Sequence, residues 1–166
     1  MIDQSTMPTN QRRRELNLAL EDLHFAFRAV VARPDAALAA RGLSRVHHRI
    51  LYFIAKTPDL RVSELRATLG VTKQAMNAPL RELTERRLVS EAVDEADRRS
   101  KHLRLTARGR ALEERLSGEQ RDLFARAFRK VGKDKQQAWR EVMRLLASEA
   151  SARVDAPVRR TGYSGR

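Results

Sequence analysis

The 166-residue chain contains no cysteine. Disulfides, thiolate metal sites, cysteine nucleophiles and thiol-based oxidant sensing are therefore excluded together. Aromatic residues make up only 5% of the chain against 42% for all hydrophobic residues, so its core must be largely aliphatic. Nowhere do 18 apolar residues run consecutively, which argues against a membrane-spanning helix. The opening MIDQSTMPTNQRRR has no apolar stretch behind its charges and does not read as a signal peptide. A cytoplasmic protein with no membrane partner is the expectation. Chemistry-bearing constellations are scarce as well. There is no Ser-His-Asp set, Gly-rich phosphate loop or close carboxylate pair at a meaningful spacing, so the sequence predicts a protein that is not an enzyme and takes no cofactor. His24, His47, His48 and His102 lack an accompanying carboxylate cluster and read as histidines on element faces rather than metal ligands.

What is abundant is positive charge. Charged residues are 33% of the chain and the net charge is +13. An excess of this size points to a polyanionic partner, nucleic acid above all, because phosphates neutralise its self-repulsion.

Residues 1–10 read as a flexible arm. Leu16, Leu20, Leu23, Phe27 and Val30/Val31 recur at helical spacing from Gln11 to about Ala32. Pro34 is expected to stop that helix, Asp35 to cap a short Ala-rich turn, and Gly42 to end it. Ser44 caps a helix to about Lys56, with Val46, Ile50, Phe53 and Ile54 inward. After the turn Thr57-Pro58-Asp59, Ser63 caps a short helix that ends at Gly70. Thr72 caps another to about Arg87, with Met76, Leu80 and Leu83 on one face. Leu88–Val93 and Lys101–Leu105 read as strands joined by the charged run Asp94–Arg99. Thr106 caps a long helix to about Val131, and Asp134 with Gln137 resembles a capping box opening the last helix. Trp139 on that helix reads as a core or dimer anchor. The basic, Pro/Gly-punctuated tail, residues 153–166, is expected to be disordered.

Helix, tight Gly70-Val71 turn, helix and charged hairpin form the order of a winged helix-turn-helix. With Met76, Leu80 and Leu83 inward, Lys73, Gln74, Asn77, Arg81 and Thr84 fall on the opposite flank. Amides such as Gln74 and Asn77 suit adenine edges, and Lys73 and Arg81 suit guanine or phosphate. In the hairpin, Arg98, Arg99 and Lys101 form a basic cluster. An arginine there can enter a narrow minor groove, with Asp97 able to hold a guanidinium in a fork.

From Gly42-Leu43-Ser44 to Thr106-Ala107-Arg108-Gly109 the sequence resembles the MarR family of bacterial transcription regulators. The resemblance is carried by the GLS start with Ile50-Leu51, the segment VSEL, the helix VTKQAMNAPLREL and RRLV. Asp97-Arg98-Arg99 and Leu103-Arg104-Leu105-Thr106 with Gly109 complete it. The resemblance implies a mainly α fold with a small β-hairpin wing, the winged helix-turn-helix being flanked by helices that form a dimerisation domain. It implies residues 11–43 and 106–152 as dimerisation helices and 44–105 as the DNA-binding domain. Lys73, Gln74, Asn77 and Arg81 would face the major groove, with Thr72 a further DNA-binding residue of the recognition helix. In the wing Arg99 would enter the minor groove with Asp97 orienting it, and Arg98 and Lys101 would be DNA-binding residues beside them. The implied function is a homodimeric repressor on pseudo-palindromic double-stranded DNA in a bacterial cytoplasm, associated with the nucleoid. A small anionic or phenolic effector binding between the dimer helices and the DNA-binding lobe releases many members of the family. Three positions depart from the pattern. Ala78 stands where many relatives have a DNA-contacting Arg, Pro79 interrupts the recognition helix and predicts a local bend, and Arg87 replaces a Gly after that helix. Two other readings of the same residues are a basic accessory or architectural DNA-binding protein without a ligand switch, and a winged-helix module for protein contact.

Overall fold

A computed structural model of the chain describes residues 9–93 and 101–154. The elements run α1 (Thr9–Ala39), α2 (Arg45–Lys56), β1 (Leu60–Arg61), α3 (Val62–Leu69), α4 (Lys73–Glu85), β2 (Val89–Val93), β3 (Lys101–Leu105), α5 (Ala107–Val131) and α6 (Lys133–Val154). The chain divides into two compact units, residues 1–123 and 124–166.

In the first unit an aliphatic core is built from several elements at once. Ile50, Leu51 and Ile54 of α2, Leu65 of α3, and Met76, Leu80 and Leu83 of α4 are buried together with Leu103 and Leu105 of β3 and Leu116 of α5. The inward stripe expected of α4 is the one observed. In β3 the alternation runs from Leu103 to Leu105, with both leucines buried and Arg104 between them exposed. Truncating one fully buried member such as Ile50 would cost about 2–5 kcal/mol, through lost transfer energy and the cavity left behind.

The sheet has three strands, not the two of the expected hairpin. Antiparallel β2 and β3 pair from Val89↔Leu105 to Val93↔Lys101, and β1 adds to the other edge of β3 through Leu60↔Leu103. A two-residue strand is too short to leave a period-2 signature in the sequence.

Three helix boundaries also differ from expectation. Pro34 does not stop α1, which continues to Ala39 with Pro34 buried inside it. A proline inside a helix leaves the carbonyl four residues earlier without its N–H partner. That carbonyl belongs to Val30, and the Gln120 side chain of α5 donates Nε2–H to it at 3.3 Å. Asp35 caps nothing. It lies within α1 and its carboxylate receives Arg45 Nε–H and Nη2–H at 2.6–3.0 Å. The cap of α3 is Arg61 rather than Ser63, with the Arg61 N–H donated to Glu64 Oε2 at 2.9 Å. In the second unit α6 begins at Lys133, where Gln136 N–H reaches the Gly132 carbonyl at 3.1 Å, so Asp134 sits in the first turn instead of capping it.

Within that second unit, Phe124, Phe128 and Trp139 form a three-ring cluster with centroids 5.3–5.6 Å apart, tying the end of α5 to the start of α6. Trp139 packs against both phenylalanine rings yet stays 39% exposed, so it is not a buried core residue. α1 and α6 nonetheless leave large apolar side chains in solvent. Leu16, Leu20, Leu23 and Phe27 are 47–68% exposed on α1, and Val142, Leu145 and Leu146 are 51–61% exposed on α6.

Candidate nucleic-acid interface

The helix-turn-helix is assembled by local chemistry. α3 ends at Gly70, whose φ of 62° is a left-handed conformation that glycine adopts without a Cβ penalty. Thr72 then opens α4, its Oγ1 accepting the Ala75 N–H at 3.2 Å. With one face of α4 fixed by Met76, Leu80 and Leu83, the other is presented to solvent. Thr72, Lys73, Gln74, Asn77 and Arg81 are all exposed there. Among the described residues, the side chains of Lys73, Gln74 and Asn77 have no hydrogen-bond or ion-pair partner, so their donors and acceptors are open to a ligand. Arg81 is tethered loosely to Glu85 at 3.7 Å and its side chain is 75% exposed.

Between α4 and the β2–β3 pair lies a groove of about 700 Å³ that brings Lys73, Asn77 and Arg81 together with Glu91 and Lys101. Gln74 is on the same exposed face but outside this groove. Lys101 Nζ donates to Glu91 Oε2 at 2.6 Å, so its charge is partly neutralised across the strand pair. Asp97, Arg98 and Arg99 lie outside the described residues.

α4 is continuous through Pro79, which is half-buried. The proline has no N–H for the Ala75 carbonyl, but Ala75 is exposed, so water can serve that acceptor. Arg87 explains why a glycine is usual at its position. Its φ is 55°, and the turn around it is a Schellman arrangement: Leu88 N–H donates to the Leu83 carbonyl at 2.9 Å and Arg87 N–H to the Thr84 carbonyl at 3.0 Å. The helix ends as a glycine would end it, with a non-glycine residue held in the left-handed region.

The same turn is clamped by the start of α5. Thr106 N–H donates to the Leu88 carbonyl at 3.1 Å, and Thr106 Oγ1 donates to the Arg87 carbonyl at 2.7 Å while accepting the Gly109 N–H at 3.0 Å. A Cβ on Gly109 would stand 1.9 Å from the Leu88 carbonyl oxygen. The Thr106-x-x-Gly109 pattern is therefore a close-approach device that seats α5 on the joint between α4 and β2.

Several polar links escaped the sequence reading because they join residues far apart in the chain. At the base of the sheet, Arg104 grips Asp59 through two hydrogen bonds, and this holds the Asp59 carboxyl below its ordinary range. His102 Nδ1 meets the Asp59 carbonyl at 2.8 Å. On α2, His47 Nδ1 accepts the Ser44 N–H at 3.0 Å, which leaves the proton on Nε2 for the Glu82 carboxylate of α4, also at 3.0 Å. Glu82 in turn receives Arg86 Nη2–H at 2.5 Å, and that guanidinium, with His47 second, keeps the Glu82 carboxyl below its ordinary range. His48 Nε2 pairs with Ser117 Oγ at 3.1 Å. Among the described residues no group of three or more His, Cys, Asp or Glu could hold a metal ion. No helix there is long and apolar enough to cross a membrane.

Comparison with known proteins gives the same picture. A family model described as MarR family matches residues 41–100. The HTH-type transcriptional regulator PetP of Rhodobacter capsulatus is 37% identical over 139 residues, covering 84% of each chain. An HTH-type transcriptional repressor of Mycobacterium tuberculosis is 33% identical over 121 residues, covering 72% of this chain and 87% of its own. Among solved structures, Streptococcus pneumoniae FabT in complex with DNA aligns with a TM-score of 0.72 at 19% identity, over 82% of this chain and 98% of that one. Streptomyces coelicolor PcaV with its natural ligand aligns at 0.61 and 19% identity, over 90% and 98%. At that identity the structural matches speak for the fold, and the sequence relatives carry the family. The chain belongs to the MarR family of winged helix-turn-helix transcription regulators.

Proposed function

We propose that the protein is a homodimeric, DNA-binding repressor that occupies pseudo-palindromic operators through α4 and the β2–β3 wing, works in the cytoplasm and catalyses no reaction. The observation that carries this is the exposed, unpartnered row Lys73, Gln74 and Asn77 beside Arg81, on a helix whose opposite face is locked into the core. Amides at this position suit the N6/N7 edge of adenine, and the cations suit guanine or phosphate. Arg98 and Arg99, with Asp97 as an orienting carboxylate, extend the contact into the flanking minor groove. The regulator PetP and the mycobacterial repressor support the regulatory role, and the DNA held by FabT supports the mode of binding. Second-copy association follows from the apolar faces of α1 and α6, since monomeric soluble proteins rarely expose contiguous apolar patches beyond a few hundred Å².

Asn77→Ala and Gln74→Ala test the reading. Each removes a bidentate base contact worth about 1–3 kcal/mol of discrimination, so operator affinity should fall more than affinity for random DNA. Equal losses on both DNAs would restrict this face to backbone contacts and remove the base-reading assignment.

A further inference from the structure

A capping box places Glu or Gln three residues after a Ser or Thr helix cap, so that its side chain accepts the backbone N–H of the cap. In α2 the cap is Ser44, and the residue three positions on is His47. His47 Nδ1 lies 3.0 Å from the Ser44 N–H and 3.0 Å from Ser44 Oγ. An imidazole in this role differs from an amide in one respect, since imidazoles take up a proton between about pH 5 and 8. The residue is buried, and its far nitrogen, Nε2, meets the Glu82 carboxylate of α4 at 3.0 Å. One side chain thus joins the first turn of α2 to the DNA-facing helix.

This bridge needs a neutral ring. Neutral imidazole has one acceptor and one donor, and here the acceptor faces α2 and the donor faces α4. A second proton makes both nitrogens donors. Ser44 Oγ can receive the new N–H, but the Ser44 backbone N–H then loses its acceptor and confronts a donor. The bond to Glu82 meanwhile strengthens, because both partners carry charge. The cationic ring therefore stays with α4 and lets go of α2. The neighbouring charged groups are already committed. On α4, Arg86 donates to Glu82 at 2.5 Å and to the Arg41 carbonyl at 2.6 Å. On α1, Asp35 is taken by Arg45 of α2 at 2.6–3.0 Å, and Arg41 Nη1 holds the Ala37 carbonyl at 2.7 Å. On α2 itself, His48 is paired with Ser117 at 3.1 Å and Arg49 is exposed.

We propose that His47 is a positioning residue for DNA reading: its neutral ring braces α4 against the first turn of α2, and protonation opens the brace and lowers selectivity for the operator. The inference rests on the reading of α4 as the base-reading helix. Contacts to base edges carry the sequence information, and they demand closer alignment than contacts to phosphate. A loosened α4 therefore loses operator affinity first. Random DNA is held by charge, so the extra proton on the ring favours it slightly. Acid should move the two affinities in opposite directions.

The test uses the full chain, a duplex that it selects from a random-sequence pool at about pH 8, and an unselected duplex, at constant ionic strength down to about pH 5.5. The ratio of selected to unselected affinity should fall by about fivefold toward the acid end, as expected for one hydrogen bond lost. His47→Gln supplies a capping-box amide that accepts the Ser44 N–H without titrating. It should keep the ratio at about pH 8 within about twofold of the parent and flatten the profile. His48 is unchanged in that variant, so the difference between the two profiles belongs to His47. His47→Ala should lower the ratio at every pH. Without DNA, the imidazole ¹H–¹⁵N spectrum at about pH 8 should show the proton of His47 on Nε2. A proton on Nδ1 instead, or an equally steep profile in His47→Gln, would overturn the proposal. A selected duplex preferred equally at every pH would also overturn it and leave the regulatory reading standing. If no duplex is selected at all, that reading falls and takes the inference with it.

Discussion

The side-chain amide of Gln120 donates to the Val30 carbonyl at 3.3 Å, and Val30 stands four residues ahead of Pro34. The bond replaces the one that proline removes from α1, and it ties that helix to α5. Gln120→Ala should therefore cost about 0.5–1.5 kcal/mol in denaturant unfolding. In a Pro34→Ala background the restored N–H serves the Val30 carbonyl, and the same substitution should cost little. An equal cost in both backgrounds would mean that Gln120 contributes by packing and not by serving this acceptor.

Gly109→Ala should destabilise strongly. Its Cβ would meet the Leu88 carbonyl oxygen at 1.9 Å, a backbone atom that cannot swing aside. Overpacking of this kind costs about 1–3 kcal/mol or more, seen as a fall in Tm of several degrees. A Tm within error of the parent protein would show that α5 can lift off the α4–β2 joint.

His48 sets an acid limit on stability. Burial pushes its pKa below the ordinary 6.5, against the opposing pull of Glu113 and Asp35. Above pH 6.5 the ring is neutral in both states and its contribution is fully present. Below that, the unfolded chain takes up a proton that the folded chain resists, so stability should fall until the lowered folded-state pKa is passed. The slope for one proton is at most about 1.4 kcal/mol per pH unit. His48→Gln keeps a donor and acceptor near Ser117 and should flatten this part of the stability–pH curve. An unchanged curve would assign the acid sensitivity elsewhere.

Periodicity made the core-facing stripes legible. Met76, Leu80 and Leu83 are buried as their spacing predicts, and the outward flank Lys73, Gln74, Asn77 and Arg81 follows from them. Caps formed by neighbours in sequence, such as Thr72 and Thr106, were legible for the same reason. What stayed hidden depends on distant partners. Pro34 reads as a stop signal until Gln120, 86 positions later, supplies the missing donor. β1 exists only because β3 offers an edge.

The clamp of Thr106 and Gly109 on the Arg87–Leu88 turn has a mechanical consequence. The recognition helix, the first wing strand and the start of α5 all meet at one tight joint, with backbone hydrogen bonds and no room for a methyl group. Such a joint works as a keyed shaft and not as a hinge. When α5 turns, the helix in the major groove and the strand at its side must turn with it by the same angle. Tilting that shaft slightly can take both readers out of phase with the DNA grooves together, without altering any side chain that faces the DNA.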